Sequence, residues 1–233
     1  VKAVAVLAGA YVLRRLLRRK PRVVITGGCG NLGTKLATRL VESGKWEVVL
    51  LEHPNFLRPA PSGASVVAGD LIDGAGSWTR AMRGADSVIH FSAVNPYPNA
   101  TWHDSAGSMS HTFNVFLAAQ RHGVRRVVFA SSNHVMGGYK DRTEAAGAGE
   151  LLPTSPPRCG TLLNNPEDRE KSGDAVPYAA AKLAGEQLCR ALAAAGGKTS
   201  FAVLRIGWCQ PGANLPSTLN PAGCPPEFQT QTE

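Results

Sequence analysis

Residues 23–33 read Val-Val-Ile-Thr-Gly-Gly-Cys-Gly-Asn-Leu-Gly: an apolar run that stops at a glycine cluster and continues as a helical pattern. A buried strand must turn here directly into a helix, and that junction limits the fold more than any other stretch of the chain. In the pattern Thr26-Gly27-x-x-Gly30-x-x-Gly33, Gly27 permits the tight turn and Gly30 lets the backbone approach a pyrophosphate. Gly33 lets the helix pack close to the strand, while Asn31 and Leu32 open the helix whose unpaired N–H groups face the anion. The first two glycines stand one residue further apart than in GxGxxG. A glycine turn between strand and helix is also a common structural device, so a cofactor cradle needs support from residues elsewhere in the chain.

From Arg22 onward short apolar runs alternate with helical patterns, as in parallel βαβ units. Strands are expected over residues 23–26, 47–51, 65–68, 87–91, 126–130 and 201–206, and helices over 33–43, 76–83, 108–122 and 178–195. The fold class is α/β, a Rossmann-type doubly wound parallel sheet whose ligand crevice lies at the carboxyl ends of the strands. Residues 137–176, rich in Gly, Pro and charge, and everything after Gly207 read as loops. Only 26 residues follow Gly207, so the C-terminal substrate region is expected to be short or truncated. Three regions result: an apolar and basic segment 1–21, a dinucleotide-binding domain 22–210 and a Pro-rich tail 211–233.

A net charge of +8 would suggest a nucleic-acid partner until the charges are located. Lys2, Arg14, Arg15, Arg18, Arg19, Lys20 and Arg22 supply seven of the 25 basic residues, leaving 18 against 17 acids. The domain itself is close to neutral and has no basic patch interleaved with aromatics, so no nucleic-acid partner is expected. Ala3 to Leu13 is apolar and is followed by an Arg-dominated stretch, with no acid before Glu42. Residues 1–21 therefore read as an address or an anchor, short for a span of roughly 20 residues, with an interfacial membrane anchor, a signal anchor that includes Leu16 and Leu17, and an organellar presequence all open. Five cysteines, an odd number without CxxC or metal spacing against His, point to reduced thiols, an intracellular compartment (cytoplasmic or organellar) and no metal.

Glu52 follows the second expected strand, 19 residues after Gly33, where a carboxylate can accept hydrogen bonds from an adenosine ribose. It favours NAD over NADP because it would repel a 2′-phosphate, although Arg58 is near in sequence. Gly69-Asp70-Leu71 reads as an adenine-contacting turn or as an Asx turn. Tyr178-Ala-Ala-Ala-Lys182 places two side chains one helical turn apart, at the helix after the fifth strand and facing the crevice. A phenol with a pKa near 10 is a poor base at pH 7, and lowering it by three units takes roughly 4 kcal/mol. A lysine ammonium about 4 Å away supplies that at an effective dielectric near 20, so Lys182 is expected to depress Tyr178. Tyr178 then removes a hydroxyl proton while hydride leaves for nicotinamide. Ser132, at the end of the fifth strand, can hold the reacting oxygen; Ser132-Asn133-His134 can equally be a capped turn, and no GxSxG elbow supports a hydrolase. Asn114, midway along an apolar helix, either relays a proton through water or satisfies buried backbone.

Thr26-Gly-x-x-Gly-x-x-Gly33, Gly69-Asp70-Leu71, His90-Phe91-Ser92-Ala93, Asn114, Ser131-Ser132 and Tyr178-x-x-x-Lys182 resemble, in that order, the extended short-chain dehydrogenases/reductases of the epimerase/dehydratase group. The likeness covers about residues 22 to 210. Within the group, Ala130-Ser131-Ser132-Asn133-His134-Val135 and Leu204-Arg205-Ile206-Gly207 look most like uronate dehydrogenases, which oxidise the anomeric carbon of a hexuronate to a lactone with NAD. The resemblance implies an NAD-dependent oxidoreductase of carbohydrate metabolism with a small carbohydrate-like substrate. It implies that Phe91, Ser92 and Ala93 line the cofactor and that Asn95, Ser132, Asn133 and His134 contact substrate. It further implies that Tyr178 is the base and that Lys182 holds the nicotinamide ribose; relatives commonly pair as homodimers through the tyrosine helix and the one before it. The chain departs from the pattern in Gln210 to Asn220, where relatives carry an arginine for the substrate carboxylate and this sequence has neither Arg nor Lys. The loop before Tyr178 is also longer. Two alternatives stand beside this reading: a nucleotide-sugar epimerase or dehydratase, and a non-catalytic cofactor-binding subunit tethered through residues 1–21 to a membrane or larger assembly.

Overall fold

The computed structural model describes residues 19–93, 101–139, 155–160, 175–207 and 209. Six parallel strands run in the order β3-β2-β1-β4-β5-β6: β1 (Arg22–Thr26), β2 (Glu47–Glu52), β3 (Ala64–Ala68), β4 (Ser87–His90), β5 (Arg126–Ser132) and β6 (Ser200–Ile206). This order reverses between β1 and β4, and a crevice opens there at the carboxyl ends of the strands. The helices are α1 (Asn31–Glu42), α2 (Trp102–Arg121) and α3 (Val176–Ala194).

Strand alternation divides the core between two faces. Val23 and Ile25 of β1, with Val48 and Leu50 of β2, pack against Ala37 of α1. Val24, Val49, Leu51 and Val88 point the other way, into a cluster with Val115 and Phe116 of α2 and Cys189 of α3. Two-sided burial is why these strands are apolar runs rather than half-polar ones. The edge strands β3 and β6 are mostly exposed.

The structure adjusts the expected boundaries. Residues 77–82 form a 3-10 turn rather than an α-helix. Helix α2 begins six residues earlier than its apolar periodicity suggests, because Thr101 and Asp104 close a capping box: Asp104 N donates to Thr101 Oγ1 at 3.1 Å and Thr101 N to Asp104 Oδ2 at 3.3 Å. Strand β5 continues through Ser131 and Ser132, which pair with Arg205 and Ile206 of β6. Both serines are therefore rigid strand residues. Residues 133–139 form a 3-10 turn, which takes in the first three residues of the loop expected over 137–176. The targeting or anchor segment and the Pro-rich tail fall almost wholly outside the described residues. Among those described, no helix is long and apolar enough to cross a membrane.

Candidate active site

Gly27 adopts φ +65°, and a Cβ there would sit 2.9 Å from Ser92 N. A side chain at Gly33 would land on the Gly27 carbonyl oxygen. Strand, turn and helix thus come as close as glycine alone allows, with Gly30 at the N-cap of α1 and no side chain capping the first turn. Asn31 and Leu32 open that turn. Glu52, at the end of β2, lies against the loop: Cys29 N donates to Oε2 and His53 N to Oε1, both at 3.0 Å. Each carboxylate oxygen keeps a lone pair for a ribose hydroxyl. Phe91 N donates to Thr26 O at 3.1 Å, which brings the Phe91-Ser92-Ala93 segment alongside the cradle.

Asp70 accepts from Ile72 N at 2.9 Å, so the turn after β3 is an Asx turn, with Leu71 buried beneath it. Asn114 Nδ2 donates to the carbonyls of Leu71 at 2.8 Å and Ile72 at 3.0 Å. Of its two expected roles it takes the structural one, pinning α2 to this turn.

At the end of β4 a polar chain crosses the core that the motifs of the sequence do not reveal. Ser92 N donates to Thr26 Oγ1 at 3.4 Å, and Thr112 Oγ1 donates to Ser108 O at 2.9 Å. His90 Nδ1 lies 2.6 Å from Thr26 Oγ1 and Nε2 lies 3.1 Å from Thr112 Oγ1. The Thr112 proton is committed to Ser108, so Nε2 carries the imidazole proton and Nδ1 accepts from Thr26. His90 is fully buried and stacks on Phe129, and desolvation, aided by the nearby Lys182 charge, keeps it neutral far below the usual histidine range.

Tyr178 and Lys182 face β5 from the first two turns of α3. Lys182 Nζ donates to Ala130 O at 2.8 Å and lies 5.1 Å from the Phe129 ring centre and 5.7 Å from that of Tyr178. Burial pushes its ammonium down to about 8. The expected depression of Tyr178 by Lys182 is absent from this arrangement. Burial pushes the phenol up, and the group that pulls it back is Ser132, through a hydrogen bond. The physical reason is that the ammonium turns to the Ala130 carbonyl and over the ring rather than to the phenol oxygen. Ser132 Oγ also lies 3.3 Å from Asn133 Oδ1 and accepts from His134 N at 3.2 Å. The His134 ring meets Tyr178 edge-on at 6.0 Å. The structure thus gathers Ser132, Asn133, His134, Tyr178 and Lys182 at one point; Asn95 lies outside the described residues.

One further buried acid stands here. Glu186, one turn beyond Lys182, accepts from Ser131 Oγ at 2.5 Å and from Nε and Nη2 of Arg205. Burial alone would raise its carboxyl, but Arg205 and Ser131 outweigh that and hold it below the ordinary value. Its signal in the sequence is the continuation of the one-turn spacing, Tyr178-x-x-x-Lys182-x-x-x-Glu186. No cluster of His, Cys, Asp and Glu among the described residues could hold a metal.

The sequence and fold have known relatives. The family model of the NAD dependent epimerase/dehydratase family matches residues 23–208. Uronate dehydrogenase of Pseudomonas putida is 37% identical over 120 residues, 51% of this chain and 43% of the relative. UDP-glucose 4-epimerase of Streptomyces lividans is 30% identical over 193 residues, 78% of this chain and 50% of the relative. A solved mutant of uronate dehydrogenase from Agrobacterium tumefaciens, complexed with NAD, superposes with a TM-score of 0.62 at 27% identity, covering 84% of this chain and 64% of that one. The chain spans about half the length of the curated relatives it matches. With most of its length under the family model, and with that fold and cradle, the chain belongs to the NAD dependent epimerase/dehydratase family.

Proposed function

We propose that the chain is an NAD-dependent oxidoreductase of the short-chain dehydrogenase/reductase type, transferring hydride between nicotinamide and a sugar-like alcohol or lactol. The observation that carries the reading is the meeting of Tyr178, Ser132 and Lys182 at the end of β5, on the crevice whose other wall is the glycine cradle. The residues present fit a dinucleotide. An uncapped helix start suits its pyrophosphate, Glu52 its adenosine ribose, and Lys182 its nicotinamide ribose. Bound NAD would supply the hydride acceptor.

The chain's own part is proton handling. Ser132 holds the reacting oxygen, and Tyr178 takes the hydroxyl proton as the C–H electrons leave. Lys182 Nζ rests on Ala130 O, 5.7 Å from the Tyr178 ring centre, and for Tyr178 to act as the base it turns toward the phenol oxygen once cofactor and substrate fill the site. His134 and Asn133 border the substrate side. Gln210 to Asn220 offers no cation to a substrate carboxylate, which brings neutral aldoses into consideration beside uronates.

The likeness to UDP-glucose 4-epimerase supports a second reading, oxidation and re-reduction of a nucleotide sugar without net release of NADH. One experiment separates the readings. The purified chain is given NAD with galacturonate, glucuronate, neutral aldoses or UDP-glucose, and NADH is followed by absorbance beside Tyr178→Phe. Net NADH lost in the variant supports the dehydrogenase, and an epimerised product without net NADH supports the alternative. NAD binding without turnover on any sugar favours a non-catalytic subunit. Pairing as a homodimer through α2 and α3 belongs to the same proposal, as does an intracellular setting.

A further inference from the structure

Helix α3 carries Tyr178, Lys182 and Glu186 on successive turns, and each reaches a different residue at the end of β5. The phenol meets Ser132, the ammonium meets Ala130 O at 2.8 Å, and the carboxylate takes the Ser131 hydroxyl at 2.5 Å. Glu186 is only 4% exposed. From β6, Arg205 Nε donates to Oε1 at 2.9 Å and Nη2 to Oε2 at 2.7 Å. A planar guanidinium gripping a carboxylate by two bonds fixes position and orientation together. One carboxylate therefore ties α3 to two neighbouring strands, one turn from Lys182.

Only the carboxylate end of the pair is buried, since the Arg205 side chain is 34% exposed, and a buried carboxylate costs stability unless a cation and hydrogen bonds hold it. We infer that Glu186 and Arg205, tied to β5 through Ser131, are a positioning pair for the Tyr178–Lys182 couple. The pair sets where α3 sits against β5 and, because its charges cancel, leaves Lys182 as the uncompensated charge one turn from the phenol. The inference rests on reading Tyr178 and Lys182 as the acid–base couple. Lys182 is faced by neutral His90 from β4 and by Tyr178 from its own helix, with Glu186 one helical turn further on. Glu186 is faced by Ser131 from β5, Arg205 from β6, Arg190 and Cys189 from α3, and Cys159.

The test is a lysine side-chain NMR titration of the cofactor-free chain, with the Lys182 signal identified by its loss in Lys182→Met. Glu186→Gln removes a negative charge, so the ammonium is less favoured and the Lys182 midpoint falls; Arg205→Gln removes a positive charge and the midpoint rises. Each shift is expected to be about half a pH unit or more. The double variant, again neutral, returns close to the wild-type midpoint. A pair that merely braces the fold predicts otherwise: both single variants loosen the helix, admit water and move Lys182 upward together. Movement in the same direction, or none in either variant, overturns the inference. Should Glu186→Gln fail to fold, Glu186→Met replaces it: a fall in the Lys182 midpoint supports the inference, and a rise or no change overturns it. Loss or retention of turnover in Tyr178→Phe bears on the acid–base reading and leaves these midpoints untouched, so the two failures are distinguishable.

Discussion

A single methyl group suffices to test the cradle. At Gly33 an added Cβ would coincide with the Gly27 carbonyl oxygen and crowd the Gly28 backbone, atoms that cannot swing aside as a side-chain end can. Gly33→Ala is expected to force α1 off β1 and weaken NAD binding at least tenfold, read by calorimetric titration; binding unchanged within twofold would dissociate the loop from the cofactor. Lys182 makes the opposite kind of prediction, in which function costs stability. Its folded pKa of about 8 lies below its ordinary 10.5, so the charged form is penalised by about 3 kcal/mol. Between these values the unfolded chain holds a proton that the folded chain has released, and stability therefore rises with pH across that window. Below about pH 8 the cost is fully present. Lys182→Met, similar in volume, should stabilise the fold at pH 7 by up to about 3 kcal/mol in denaturant unfolding, with the gain shrinking as pH approaches 10.5. A variant less stable at pH 7 would show that the bond to Ala130 O outweighs the desolvation.

Helix α3 is the element on which the site depends, and its approach to β5 is set by Gly185. A Cβ at that position would lie 2.6 Å from the Phe129 ring, which is fully buried and has no room to retreat. Replacing a mid-helix glycine with alanine gains about 1 kcal/mol of helix propensity, whereas overpacking a filled core costs about 1–3 kcal/mol. Overpacking wins, so Gly185→Ala is expected to lower the melting temperature. It should also displace Tyr178 and Lys182 from Ser132 and Ala130, reducing turnover more than the stability loss explains; a more stable, fully active variant would refute this. The elements themselves are mostly legible in the sequence. Apolar runs mark the strands, most clearly the inner ones, whose two faces are covered, and the glycine spacing locates the first turn. The start of α2 is not legible in this way, because its first two turns carry polar residues and only the Thr101–Asp104 cap announces it. The Tyr178–Lys182 spacing shows which side chains share a face. It cannot show that the ammonium turns to a backbone carbonyl, nor that Thr26, His90 and Thr112 form one chain of hydrogen bonds, since those partners come together only through the strand order. Glu186 is within reach of the same spacing argument; its partner Arg205, on another strand, is not.

At the scale of the molecule, the uneven covering of α2 bears on the proposed homodimer. Trp102, Met109 and Phe113 recur at seven and four residues, which puts them on one stripe of the helix, and they are 64%, 45% and 50% exposed. A cavity of about 530 Å³ beside them is lined by Met109, Phe113 and Ile72 with Leu188 of α3, so the apolar surface is continuous across both helices. Large side chains held in water along one face mark a contact surface more often than chance exposure does. A two-fold pairing of α2 and α3 against their copies would cover the stripe on both chains at once, since such an interface is isologous. A stable pair needs about 800 Å² from each partner, more than three side chains supply, so the flank of α3 has to take part. The expected outcome is a dimer in sedimentation equilibrium at micromolar concentration. Phe113→Glu, which sets two like charges near the symmetry axis and touches neither Tyr178 nor the cradle, should shift it to monomer while NAD binding stays within about threefold. A wild-type chain that sediments as a monomer, or a Phe113→Glu chain that remains a dimer, would remove this face from the assembly.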